Sequence, residues 1–410
     1  MTTNQANVFL LGGLTGGPLI PLLAISQNLA NVNTTILGVK NSFESRYCLD
    51  SHLAIKFLPK TKLNLLSFKN QSFYEIFLGF IDLFFSFFKL FFSFFIISYL
   101  LFRYKPKLIL SCGSFLAVPV FWTTKFWKIL GLLQTKLILH QQDPLPGLAN
   151  KLTVPISDLV TCSFEYTKNN YKAFKKANLI PNPIDYTKFD NIKNTKLENL
   201  LNQIQNKDLE NFLKKVSIQE NNKPILLIFG GGSGADFINA WVRDNLDELL
   251  ECNIIIHLTG LTGQGQLEIE KNNENNKDNY LLLDKLTADM PLALILANRV
   301  ICRAGLSSIT ELNYLNKKAF LVPIPSSHQE LNARLSSSKF TILEQKNVTL
   351  WLKQINSLEY KPIPVFTDGL NLNINAKPKM EYLFRLDKNQ IKLKLDEYYK
   401  MLNELLNELV

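Results

Sequence analysis

Several short motifs in the chain bring together residue types that bind phosphate and move protons. Gly12-Gly13-Leu14-Thr15-Gly16-Gly17-Pro18 follows an apolar run and opens a helical pattern. Glycines let backbone amides approach a phosphate, and a helix start adds a partial positive charge. Gly230-Gly231-Gly232-Ser233-Gly234-Ala235 repeats that pattern in the second half of the chain. Neither run satisfies the strict dinucleotide fingerprint. Arg303-Ala304-Gly305-Leu306-Ser307-Ser308-Ile309-Thr310-Glu311 is richer in chemistry. Its serines stand where they could cap a helix, whose start suits a diphosphate. Glu311, one turn further in, could accept from both hydroxyls of a ribose. It could equally be a capping-box glutamate that serves only its own helix.

Two polar clusters accompany these loops. His328-Gln329-Glu330-Leu331-Asn332 places Gln329 and Asn332 three residues apart, so both can face one cleft from a helix, while His328 fits a lone surface histidine equally well. His140-Gln141-Gln142-Asp143-Pro144-Leu145-Pro146-Gly147-Leu148-Ala149-Asn150 follows an apolar strand pattern. The carboxyl end of a parallel strand is where α/β sites lie. No nucleophilic Ser-His-Asp motif, Walker lysine or zinc signature is present.

Such groups need a scaffold, and the apolar runs supply one. Val8–Leu11, Leu108–Leu110, Lys136–Leu139 and Leu159–Cys162 read as buried parallel strands in the first half. Ile225–Phe229, Ile254–Leu258, Arg299–Cys302 and Ala319–Val322 read the same way in the second. Helical patterns separate them, which predicts βαβ units and doubly wound sheets. The strand, glycine turn and helix sequence starts twice, so the chain is read as two Rossmann-like α/β domains, 1–183 and 184–375, with a helical tail at 376–410. Ile391–Val410 carries apolar residues at helical spacing and predicts a long closing helix. A length of 410 residues suits two cores rather than one.

The net charge of +10 favours an anionic partner. No aromatic-basic nucleic-acid module accompanies it. Five dispersed cysteines without CxxC spacing read as reduced thiols, and the polar start lacks a signal-peptide pattern, so a cytoplasmic location is expected. The segment 73–102 holds many of the 29 phenylalanines. Glu75, Gly79, Asp82, Ser86, Lys89 and Ser93 recur at helical spacing and predict one narrow polar stripe with Phe and Leu around the rest. A single membrane crossing here would separate Val8–Leu11 from Leu108–Leu110, which should share one sheet. The segment is therefore expected to lie in the membrane interface, helped by the flanking Lys60, Lys62, Lys69, Arg103, Lys105, Lys107, Lys125 and Lys128. A fully buried helix or a dimer face would also accommodate it.

In order and spacing the motifs resemble the MurG family, bacterial N-acetylglucosaminyltransferases that convert lipid I to lipid II in peptidoglycan synthesis. The resemblance runs from about Val8 to about Lys339 and is strongest at Arg303-Ala304-Gly305 with Glu311, at His328–Ala333 and at Pro146–Asn150. It implies the glycosyltransferase type B fold, two doubly wound domains facing a cleft, working with no cofactor and no metal on the cytoplasmic side of the membrane. It implies UDP-N-acetylglucosamine as donor and polyprenyl-pyrophosphate-linked lipid I as acceptor. By the same resemblance Gly231, Gly232, Ser233, Leu306, Ser307 and Ser308 meet the diphosphate, and Glu311 the ribose. Thr287 meets uracil through its backbone, and Gln329 and Asn332 hold the sugar. Thr15, Gly16, Gly17, Gly113, Ser114 and Asn150 face the acceptor.

The implied reaction is direct displacement with inversion, in which the muramyl 4-hydroxyl attacks the anomeric carbon and UDP leaves. The departures from the family concern the base. Pro18 stands where the family has histidine, His140-Gln141-Gln142-Asp143 where it has His-Glu-Gln-Asn, Asp185 where it has arginine, and Gly232 where it has serine. Asp143, then His140, are the candidate bases. Two other readings fit the departures: a lipid glycosyltransferase with another acceptor, such as a diacylglycerol, and a catalytically impaired scaffold that binds nucleotide or lipid.

Overall fold

The computed structural model describes residues 5–13, 16–51, 53–59, 90–193, 197–218, 223–231, 234–260, 278–356, 384 and 386–409. The chain divides into two compact units, Met1–Ile180 with Asp396–Val410, and Pro181–Leu395. Among the described residues, the first unit holds β1 (Ala6–Leu11), β2 (Val32–Gly38), β3 (Ile55–Phe57), β4 (Leu108–Ser111), β5 (Lys136–Gln141), β6 (Leu159–Cys162) and β7 (Asn178–Leu179). They form one parallel sheet in the order β3-β2-β1-β4-β5-β6-β7. The second unit repeats the plan with β8 (Ile225–Phe229), β9 (Ile254–Leu258), β10 (Tyr280–Leu283), β11 (Arg299–Cys302), β12 (Lys318–Leu321) and β13 (Thr341–Ile342). Its order is β10-β9-β8-β11-β12-β13, again parallel throughout. Both are doubly wound sheets whose strand order reverses beside the first strand of the unit.

The apolar runs explain the sheet centres. β4 (Leu-Ile-Leu-Ser) is buried along its whole length, as is β9, because helices cover both faces. All eight strands expected from the sequence occur, within two residues at each end. β2 was not anticipated, and its composition shows why: the first three of Val-Asn-Thr-Thr-Ile-Leu-Gly are incompletely buried, leaving a short apolar stretch. In the first unit Phe9, Leu11, Ile109, Phe121 and Leu139 pack into one core. In the second, Ile228, Trp241, Ile255, Ile301 and Trp351 form another.

Of the phenylalanine-rich segment, a helix over 90–104 is described; Glu75, Gly79, Asp82, Ser86 and Lys89 lie outside the described residues. Ile97, Leu100 and Leu101 face the core, and Ser93 is buried beside them. Phe91, Phe92, Phe95 and Tyr99 point outward, each more than half exposed. The helix thus keeps a serine inside and aromatic rings outside. Phe94 and Phe102 lean on Trp127 of the helix Ala117–Ile129, with centroids 6.0 and 5.0 Å away, and the Trp127 indole donates to Ser98 Oγ at 2.8 Å. Among the described residues no helix is long and apolar enough to cross a membrane.

The predicted closing helix spans Lys388–Asn407. Its later residues dock in the first unit, where Asn403 Oδ1 accepts from Ala30 N at 2.9 Å. Its first turns dock in the second unit. There Asp190 accepts from the Tyr314 hydroxyl at 3.0 Å and pairs with Lys388 and Lys392, while the Lys388 ammonium also lies 5.2 Å from the centre of the Tyr314 ring. Burial pushes the Asp190 carboxyl up, but the hydrogen bonds from Lys388 and Tyr314 and the two lysine charges outweigh it and hold the pKa below the usual range. A carboxylate with a depressed folded pKa stabilises the fold above its unfolded pKa, and the contribution disappears as the pH falls through the folded value. Asp190→Asn should therefore lower the melting temperature of the second unit at pH 7. In calorimetric melts the difference from the parent should close below about pH 4.

Candidate active site

In the first unit the expected acceptor residues collect at the carboxyl ends of β1, β4 and β5. The Ser114 hydroxyl donates to Gly12 O and its oxygen accepts from Leu116 N, so one buried side chain joins the β1 turn to the β4 turn. Gly113 has φ +102°, a conformation that a side chain strains, and its open face looks at the Asn150 amide 3.6 Å from where a Cβ would stand. Asn150 donates to Gln141 Oε1, and Gln142 donates to Cys112 O at 2.7 Å. Gly16 and Gly17 open the helix Gly16–Gln27. Pro18 stands in its first turn, where the missing N–H costs no helical bond, and packs against Gly13. Thr15 lies outside the described residues.

The two candidate bases sit differently. His140 is 1% exposed, with Nδ1 2.8 Å from Thr161 Oγ1 and Nε2 3.1 Å from Ser163 Oγ. Both ring nitrogens are thus engaged inside the protein. Asp143 is half-buried just past β5, where its main-chain carbonyl accepts from Gln141 Nε2 at 2.6 Å.

Beneath the β1 turn lies a carboxylate that the sequence reading did not select. Glu44 is fully buried in the first turn of the helix Phe43–Ser51, and Oε1 accepts from Val39 N at 3.2 Å. A Cβ at Gly12 or Gly38 would stand 2.9 or 2.6 Å from Glu44 Cγ, so both positions require glycine. The signal was Ser42-Phe43-Glu44-Ser45 after β2, whose serines bond each other's amides at 3.1 and 3.3 Å. It is hidden because β2 carries only a short apolar stretch and gives no strand pattern before it.

In the second unit the residues expected to hold the donor gather past β8, β11 and β12. Gly230 is tight enough that a Cβ there would come 2.3 Å from Ala235 Cβ, and Gly231 has φ +89°. Gly232 and Ser233 lie outside the described residues. The helix Leu306–Tyr314 begins past β11 with Gly305 at its N-cap, which offers no side chain. Ser307 and Ser308 therefore sit within the first turn, not at the cap. Glu311 stands beyond the third helical residue, where a capping-box glutamate would be, which excludes that role. Asn332 is buried and donates to Ala304 O at 3.1 Å, tying the helix His328–Ser336 to the turn before Leu306. Gln329 is partly exposed, with Oε1 accepting from Ile324 N at 3.3 Å, and His328 is exposed.

Glu311 has the most perturbed carboxyl of this group. Burial, and then the negative charge of Asp185, push its pKa up to about 7. Asp185 itself opens the helix Tyr186–Lys193, with Oδ1 accepting from Thr187 Oγ1 at 2.7 Å and Lys188 N at 3.2 Å. Two further residues not selected from the sequence surround Thr287: Lys188 donates to Ala288 O at 3.0 Å, and Asp289 accepts from Asn206 N at 2.8 Å.

Comparison with known proteins places this architecture. The glycosyltransferase family 28 N-terminal domain matches residues 8–161, and the family 28 C-terminal domain matches residues 225–358. The UDP-N-acetylglucosamine–N-acetylmuramyl-(pentapeptide) pyrophosphoryl-undecaprenol N-acetylglucosamine transferase of Caldicellulosiruptor saccharolyticus is 28% identical over 82% of this chain and 83% of its own. The protein of that name from Clostridium botulinum is 30% identical over 75% of this chain and 74% of its own. The chain belongs to the MurG family.

The crystal structure of Acinetobacter baumannii MurG aligns at a TM-score of 0.54 over 86% of this chain and 91% of its own, at 19% identity. A UDP-GlcNAc 2-epimerase from Methanocaldococcus jannaschii aligns at 0.53 over 96% and 99%, at 14% identity. These two likenesses speak for the fold alone, since one fold hosts unlike reactions. Two of this chain's departures from the MurG family have local explanations. Pro18 fits a first helical turn, and Asp185 is spent on opening a helix and on raising Glu311.

A raised carboxyl pKa has a cost. Between the unfolded value near pH 4.3 and about pH 7, the folded state binds the extra proton, so stability falls as the pH rises through that window. Glu311→Gln should therefore melt at a higher temperature than the parent at pH 8 and close to it at pH 4. Carboxyl NMR should place the parent Glu311 near half-protonated at pH 7, and lower in Asp185→Asn.

Proposed function

We propose that the chain transfers N-acetylglucosamine from UDP-N-acetylglucosamine to the muramyl 4-hydroxyl of lipid I, a polyprenyl-pyrophosphate-linked acceptor, and so makes lipid II. The observation that carries this reading is the turn after β11. An uncapped nine-residue helix start at Leu306 and a carboxylate one turn along, at Glu311, form a diphosphate-plus-ribose receptor in a chain of the MurG family. The leaving UDP gathers negative charge as the glycosidic bond breaks. The Leu306–Tyr314 helix start and the amides around Gly231 meet that charge with fixed dipoles, which need no reorganisation at the moment of reaction. Glu311 accepts from the ribose hydroxyls, and Gln329 orients the sugar. Asn332 acts on the same turn through Ala304. Acceptor phosphates take the amides of Gly16 and Gly17 and the Gly113–Ser114 turn, with Asn150 alongside.

The acceptor hydroxyl needs a base. Asp143 is our assignment over His140, because it is only partly buried at a strand end while His140 is 1% exposed with both ring nitrogens engaged. The acceptor is membrane-borne, and the outward rings of the 90–104 helix supply the contact. Phe91, Phe92, Phe95 and Tyr99, with Trp122, Phe126 and Ile129 of the neighbouring helix, form an exposed apolar surface near the basic Arg103 and Lys125. The protein acts peripherally, on the cytoplasmic face.

Two measurements test this. Purified protein should transfer labelled N-acetylglucosamine to a lipid I analogue. Asp143→Asn should lose about 10²–10⁴-fold in kcat with UDP-sugar affinity kept. Transfer to diacylglycerol instead would reassign the acceptor, UDP binding with no transfer to either would favour the scaffold reading, and full turnover by Asp143→Asn would remove that base. Replacing Phe91, Phe92 and Phe95 by Ser should weaken sedimentation with anionic vesicles by roughly tenfold per ring while leaving the melting temperature unchanged. Equal sedimentation would refute the membrane contact.

A further inference from the structure

Thr287 lies on a loop between β10 and the helix Met290–Leu296, and the loop is fastened from two directions. Asp289, 8% exposed, occupies the N-cap position of that helix but makes no side-chain bond to it. Its carboxylate reaches a distant turn instead, accepting from Gln205 N at 3.2 Å and from Asn206 N at 2.8 Å. That turn is itself braced, because Asn206 Oδ1 accepts from Leu209 N at 2.9 Å to open the helix Lys207–Ile218. From the other direction, Lys188 donates to Ala288 O at 3.0 Å. The two groups that follow Thr287 along the loop are thereby occupied, while Thr287 itself stays partly exposed.

We propose that Asp289 and Lys188 are positioning residues for nucleobase specificity, fixing the main chain at Thr287 so that its amide and carbonyl can tell uracil from cytosine. The inference rests on the reading of Thr287 as the uracil contact. A base read by main-chain groups cannot be accommodated by a rotamer change. Uracil offers N3–H as donor and O4 as acceptor, and cytosine offers the reverse at both atoms. Discrimination therefore depends on where the loop is held, and a shift of a fraction of an ångström turns a fixed donor–acceptor pair into a tolerant one. An ordinary N-cap aspartate would serve only its own helix. Asp289 places a full charge on two amides of another segment, which makes the loop rigid relative to the body of the unit.

Calorimetry with UDP and CDP on the parent, Asp289→Asn and Lys188→Met tests this. Both variants should bind UDP roughly tenfold more weakly, as expected for the loss of a part-buried charged hydrogen bond. CDP affinity should stay near that of the parent, so the preference collapses. Lys188→Met keeps the aliphatic stem and provides the same reading if Asp289→Asn fails to fold. A folded variant that retains the parent's UDP-to-CDP ratio overturns the proposal. So does an equal loss for both nucleotides, which marks a merely structural role. A parent that binds UDP no better than CDP overturns the uracil reading beneath it.

Discussion

Everything chemical in each unit depends on the reversal of strand order. β1 pairs with β2 on one side and β4 on the other, and β8 pairs with β9 and β11 in the same way. Connections that leave such a pair in opposite directions uncover the carboxyl ends of its strands. Main-chain amides are left facing a crevice there, and the glycines follow from the lack of room: Gly230 against Ala235, Gly12 and Gly38 against Glu44.

Neutral side chains then stiffen the turns. Asn332 holds Ala304 O, Asn239 holds Thr259 O, Gln142 holds Cys112 O and Ser114 holds Gly12 O. Each bond runs from one element to the main chain of another at a strand end. Amides and hydroxyls cost less to bury than ions. They also let the helix dipoles set the sign of the local potential, which suits an anionic ligand. His257 follows the same logic: buried between Tyr280 and Asn239, it has its pKa pushed down to about 3 by burial and works as a neutral brace.

Apolar runs with glycine turns made both sheets legible, because a strand covered on two faces has little freedom in composition. β2, β3, β7, β10 and β13 were not legible. They are short or half-exposed, so packing rather than pattern decides them. Among the candidate site residues, the glycine turns and the place of Glu311 within its helix could be read from local spacing, which left the role of Glu311 open. Glu44, Lys188 and Asp289 could not, since each acts on main chain that only the fold brings near. Nor could the state of His140, whose two partners come from β6 and the residue after it. The serines at 307 and 308 read as caps by type, yet the N-cap is Gly305, in extended backbone that any residue adopts.

The ring-out, serine-in arrangement of the 90–104 helix reverses the usual relation between side-chain polarity and mutational tolerance. A polar residue at 91, 92 or 95 removes nothing from the core, whereas a larger apolar one at 93 or 98 would have to displace packed atoms. The phenylalanines therefore contribute little to keeping the chain folded. Any selection that retains them must act through what the surface touches.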